Sequence, residues 1–202
     1  MAPEPRTLPV PSMRVDVIVR QGVPAVLSTS ECERVLVAAL EVGGAPPGGT
    51  ASLILSDDAE LRALNEAHMG ETGPTDVLSF PLLPPSAFPI HEGQDPRVRT
   101  TDAATAGFQL PPGEPVHVGD IVVSVERALA QASEGRGGQA GDRRWDGEDE
   151  LRLLITHGAL HLCGWDHAEP AERAAMRALE SSVLGGRAEW HSGQARAHPA
   201  DR

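Results

Sequence analysis

Thr156-His157-Gly158-Ala159-Leu160-His161-Leu162-Cys163-Gly164-Trp165-Asp166-His167 places three imidazoles at offsets of four and then six residues. On an α-helix, positions four apart lie one turn above each other, so His157 and His161 can aim two ring nitrogens at one point. Leu151, Leu153, Leu154, Ile155, Leu160 and Leu162 supply the apolar run of such a helix. Asp146 is placed to cap its start, and Glu148 to Glu150 make an acidic first turn. Gly164 can end it in a left-handed backbone conformation, and the turn that follows can return His167 as a third ligand. Three protein ligands leave one position of a tetrahedral zinc site open, as hydrolytic rather than structural zinc requires. Ordinary core or surface roles account for a single histidine or a chance pair, but not for a third placed just past a glycine stop. The expectation is one zinc ion held by His157, His161 and His167. Cys163 leaves the helix well away from the His157/His161 direction and is expected as a small buried residue.

Outward from this helix the chain alternates strands and helices. Val15 to Arg20 reads as a strand, and Ser28, Thr29 and Ser30 offer caps for a helix carrying Val35, Leu36, Ala39 and Leu40 up to Gly43-Gly44. Ala51 to Leu55 is a second strand, after which Ser56 is expected to cap a helix with Leu61 and Leu64 inward. Asp76 to Phe80 reads as a third strand closed by Pro81, and Val116 to Val123 as a fourth. Ser124 then caps a short helix through Val125, Ala128 and Leu129, and a last helix from about Pro170 to Leu184 turns Ala174, Met176 and Leu179 inward. This order predicts an α/β (α+β) fold, a small mixed four-stranded sheet packed by about five helices. Residues 13–187 are expected as one domain with a proline-rich, disordered extension over 1–12 and a polar tail over 188–202. Leu82 to about Pro115 is too long for an ordinary connection and reads as an insertion rather than a lid.

Composition narrows the function. Cys32 and Cys163 are too few and too far apart for a disulfide framework, which suits a reducing compartment. No window approaches a membrane span and the start lacks a signal-peptide pattern, so a soluble cytoplasmic protein without membrane partners is expected. The formal charge of −12, with every basic residue an arginine, argues against generic binding to duplex DNA. It leaves room for a local basic groove, or for a metal that supplies the positive charge itself.

The histidine and glycine offsets match the metzincin pattern H-E-x-x-H-x-x-G-x-x-H, in which the glutamate after the first histidine is the base for peptide cleavage. Here that residue is Gly158, so the helix is metzincin-like in its metal scaffold but lacks the group that activates water. The missing side chain leaves room beside the metal for substrate or for a packed neighbour. A metallopeptidase is thereby demoted.

The segment 157–167 closely resembles the signature of the YbeY family of bacterial endoribonucleases, HGxLHLxGYDH. Leu64-Asn65, Pro74-Thr75-Asp76-Val77-Leu78-Ser79-Phe80-Pro81 and Gly119-Asp120-Ile121 agree with it in order, so the resemblance runs over roughly residues 13 to 185. It implies a zinc-dependent, single-strand-specific endoribonuclease in small-subunit (16S) ribosomal RNA maturation and ribosome quality control. Its partners would be ribosomal RNA and the small subunit or its assembly factors, and not DNA. In such a family the three histidines bind zinc. The chain departs from the family at His68-Met69, where a Tyr-Arg pair is usual, so a phosphate-directed cation is missing from its expected place. Arg62, Arg143 or Arg144 could replace it in space. A ribosome-assembly factor with structural zinc, binding RNA without cutting it, is the alternative this departure raises.

Asp76, Asp120 and Asp166 are weak candidates for a catalytic or ligand-orienting carboxylate, each equally able to make a local turn or cap bond. His68, His91, His117, His191 and His198 lack ligand spacing and are expected in ordinary surface or core roles.

Overall fold

Parallel pairing at one side of the sheet organises the chain. The computed structural model describes residues 12–70, 72–73, 75–94, 114–135 and 145–185. β1 (Arg14–Val19) and β2 (Thr50–Ser56) pair in parallel, from Arg14 opposite Thr50 to Val19 opposite Leu55. A parallel pair needs a covering connection, and α1 (Thr29–Gly43) provides it by burying Cys32, Leu36, Ala39 and Leu40. The Ser28 hydroxyl accepts from the Glu31 N–H at its start, and Gly44 at φ 91° ends it.

After α2 (Asp58–His68) and β3 (Val77–Pro81), β4 (His117–Ser124) inserts between β2 and β3. The order is β1-β2-β4-β3, with β4 parallel to β2 and β3 antiparallel on the edge. α3 (Val125–Ser133), α4 (Gly147–Leu162) and α5 (Pro170–Val183) complete a mixed four-stranded sheet with five α-helices among the described residues. This is the α/β fold expected from the element order.

α4 is the centre of the molecule. It packs against α1, α3, α5, β3 and β4. Leu151, Leu153, Leu154, Ile155, Leu160 and Leu162 are fully buried, and each such side chain contributes roughly 1.5–3 kcal/mol. A helix apolar on nearly every side belongs in a core, so this one is held rigidly where its histidines emerge. α2 covers the other sheet face, where Leu61, Leu78 and Val122 pack with Ile54, Leu64 and Phe80.

Several local expectations are corrected. Pro81 is not beyond β3 but its last residue, opposite Gly119. An edge strand tolerates a proline, and the Leu82 N–H bonds the Val118 carbonyl just past it at 3.0 Å. Asp57, rather than Ser56, caps α2 by accepting from the Glu60 N–H at 2.9 Å; Ser56 ends β2 and donates to the Glu60 carboxylate instead. Ala174 is exposed while Ala175 joins Met176 and Leu179 against the core. On α3 Leu129 is 39% exposed, whereas Gln131 is buried beside Val125, Ala128 and Ala132.

Within the expected insertion, the chain up to residue 94 docks at a few points. Pro85–Ala87 form a single 3-10 turn, and Phe88 is buried in the main core. The proline-rich start, residues 95–113, Arg143 and Arg144, and the polar tail with His191 and His198 lie outside the described residues.

Candidate metal centre

α4 brings His157 and His161 onto one face, and its end supplies the third imidazole. The Asp146 side chain accepts from the Asp149 N–H at 3.0 Å to start the helix. At the other end Gly164 adopts φ 80°, its N–H bonds the His161 carbonyl at 3.0 Å, and the Trp165 N–H bonds the Leu160 carbonyl at 3.1 Å. These two bonds form a Schellman stop, which reverses the chain and carries His167 back over the helix face. One ring nitrogen from each of His157, His161 and His167 lies within 4.8 Å of the other two.

The outer nitrogens decide what the inner ones can do. His161 Nδ1 faces the Trp165 carbonyl oxygen at 2.8 Å, which can only accept, so Nδ1 carries the proton. His157 Nδ1 faces Glu180 Oε1 at 2.7 Å, and Glu180 comes buried from α5. In both neutral rings Nε2 is then a lone pair, and the two Nε2 atoms are 3.1 Å apart. Lone pairs at that distance repel unless a positive centre joins them. A shared proton needs only two rings, whereas the convergence of a third favours a metal ion. Zinc–nitrogen bonds of about 2.0–2.1 Å at tetrahedral angles would set two ring nitrogens roughly 3.3 Å apart, close to the observed spacing. The donor set therefore fits a borderline cation such as zinc, and the His157 and His161 rings are each oriented by an outer acceptor as histidine ligands usually are.

The wall beside this centre is closed. A Cβ on Gly158 would sit 2.8 Å from Ile121 Cγ2 and 3.0 Å from Val77 Cγ2, so the space that glycine leaves is filled by the sheet and not by substrate. Ser79 Oγ donates to the Gly158 carbonyl at 2.9 Å, fixing that contact. Cys163 is buried against Gly43, and burial pushes its thiol up to about 12, so it stays protonated and is no ligand.

The profile of the family described as endoribonuclease YbeY matches residues 22–186. The chain belongs to the endoribonuclease YbeY family. It is 40% identical over 155 residues to endoribonuclease YbeY of Symbiobacterium thermophilum, covering 76% of this chain and 82% of that one. Against the Roseiflexus castenholzii protein of the same name identity is 35% over 172 residues, covering 85% and 91%. The solution structure of TM1509 from Thermotoga maritima aligns with a TM-score of 0.46 at 19% identity, covering 91% of this chain and 99% of that one.

The three candidate carboxylates fall outside the imidazole cluster. Asp76 accepts from Gln131 Nε2 at 2.9 Å, tying the start of β3 to α3. Asp120 is bonded by His117 Nε2 at 3.0 Å, and His117 Nδ1 meets Thr50 Oγ1 at 2.9 Å. Asp166 Oδ1 accepts from the His167 N–H at 2.7 Å, so it shapes the turn that holds the third imidazole. His68 sits edge-on to Phe80, with ring centroids 5.4 Å apart.

Met69, in the place of the family arginine, is half exposed just past α2, and Arg62 is exposed on α2. Arg173 instead reaches the cluster, donating from Nε to the His167 carbonyl at 2.8 Å. Glu180 and Arg173, like Glu172, which accepts from the Asp166 N–H, are site residues that the sequence does not announce. All three stand on α5, whose helical period marks them only as polar residues. The one available signal was the buried rank of Glu180, four residues beyond Met176 and on the same face.

Proposed function

We propose that this chain is a zinc-dependent, single-strand-specific endoribonuclease of the cytoplasm that acts in small-subunit ribosomal RNA maturation and ribosome quality control. His157, His161 and His167 would hold one zinc ion. The observation that carries this reading is the pair of Nε2 lone pairs 3.1 Å apart, each ring fixed by an acceptor on its other nitrogen. Family membership supports RNA as substrate. No helix among the described residues is long and apolar enough to cross a membrane.

When bound, the ion would supply a Lewis acid that polarises a phosphoryl oxygen and brings water toward neutral acidity. The protein's own part is preorganisation. Glu180 holds the proton of His157 at Nδ1, the Trp165 carbonyl holds that of His161, and both inner lone pairs stay aimed at one point. Arg173 would contribute the phosphate-directed cation. Its Nε is anchored on the His167 carbonyl, which holds the guanidinium beside the third imidazole. In a chain of net charge −12 such a local cation matters more than the total.

A metallopeptidase is disfavoured because the position for its base is packed into the sheet. The test is incubation of the wild type and His161→Ala with single-stranded RNA, duplex RNA and an unstructured peptide, with and without chelator. Single-strand cleavage lost on chelation and in the variant is the expected result. Cleavage that survives both overturns the reading, and RNA binding by a zinc-loaded protein that never cuts would make it an assembly factor.

A further inference from the structure

We propose that His91, on the segment after β3, is a positioning residue for His167, acting through Glu172; this rests on the metal reading of the imidazole cluster. His91 Nε2 lies 2.6 Å from Glu172 Oε1, with the two side chains only 7% and 5% exposed. The same oxygen accepts from the Asp166 N–H at 2.9 Å. Asp166 in turn receives the His167 N–H. One buried carboxylate oxygen thus joins the segment after β3 to the turn that carries the third imidazole.

Two further contacts show that the segment is built to reach this point. The His91 ring stacks on Trp165, with centroids 3.9 Å apart and planes 18° from parallel. Trp165 offers its carbonyl to His161 and its indole N–H to the Gly43 carbonyl, so the stack rests on a residue already fixed at the site. Gly93 takes φ 82°, and a Cβ there would lie 2.7 Å from the Glu172 Cα and run into its backbone nitrogen. Only glycine lets the chain approach α5 this closely.

A carboxylate this buried is stable in its place when charge-assisted donors satisfy it. With His91 gone, Glu172 loses one of its two donors and its grip on Asp166 loosens. His157 and His161, set by α4, stay where they are. The loss falls on the third ligand, as it does when an outer partner of a metal ligand is removed. Phe88 and Gly93 keep the segment docked meanwhile, so the effect is separable from folding.

The experiment measures zinc affinity of the full chain by competition with a chromophoric chelator, alongside thermal unfolding of the metal-free protein. His91→Phe keeps a ring for the stack and removes the donor, whereas His91→Asn restores an N–H. Zinc binding about tenfold weaker in His91→Phe and largely recovered in His91→Asn is the expected outcome. Wild-type zinc affinity in His91→Phe, or a loss confined to the unfolding midpoint of both variants, overturns the proposal. If His91→Phe does not fold, Glu172→Gln makes the same comparison, with the same two outcomes. A wild type that takes up no zinc is a separate failure, which removes the metal reading itself.

Discussion

Glu180 determines what His157 can offer, because an anionic acceptor on Nδ1 fixes the neutral ring's proton there, leaves the Nε2 lone pair facing the cluster and raises its strength as a ligand. Replacing it with glutamine keeps the shape and removes the charge. Glu180→Gln should therefore weaken zinc binding by about 10–100-fold in a chelator competition, with the helical circular dichroism unchanged. Arg173→Ala tests the proposed substrate contact in the same way. A lost hydrogen bond to a charged phosphate is worth about 1.5–3 kcal/mol, so cleavage of single-stranded RNA measured at saturating zinc should fall roughly 10–100-fold, beyond any weakening of zinc binding that follows from loss of the bond to the His167 carbonyl. His157, His161 and His167 were readable in the sequence because helical spacing and a glycine stop are local signals. Glu180 and Arg173 were not, since their roles depend on how α5 docks across α4, which no local period encodes.

Among the elements, the end of α4 is where a small change has the largest reach. Gly164 stands at φ 80°, a conformation that costs a side-chain-bearing residue about 1–2 kcal/mol. Gly164→Ala should lower stability by roughly that amount in denaturant unfolding and weaken zinc binding, because the same turn carries His167. The stop was legible from Gly164 alone. The boundaries of β3 and α2 were not, for Pro81 is admitted by an edge position and Asp57 outcompetes Ser56 only once Ser56 is drawn into β2. Likewise the inward place of Gln131 on α3, where Asp76 receives it, depends on packing that a polar side chain does not announce.

At the scale of the whole molecule, a ligand-dependent stability is expected. An ion that binds only the folded chain adds RT ln(1 + [L]/Kd), about 2.7 kcal/mol at a hundredfold excess over Kd. For a chain of this size that corresponds to roughly 5–10 °C, so chelation should lower the thermal midpoint by that amount in calorimetry, and added zinc should restore it. The fold class was legible because the parallel strands and covering helices follow one another in order. The packed path of the segment after β3 was not, since its prolines and glycines carry no period, and its docking rests on single contacts such as His91 with Glu172.

The three imidazoles are unequal in one further respect. Two belong to the most deeply packed helix, whose buried amides are expected to exchange with solvent only through global opening. The third belongs to a turn held by a few hydrogen bonds, which can open by itself. Exit of a bound ion therefore needs only this hinge to swing, and its off-rate should be set by a local opening far faster than global unfolding.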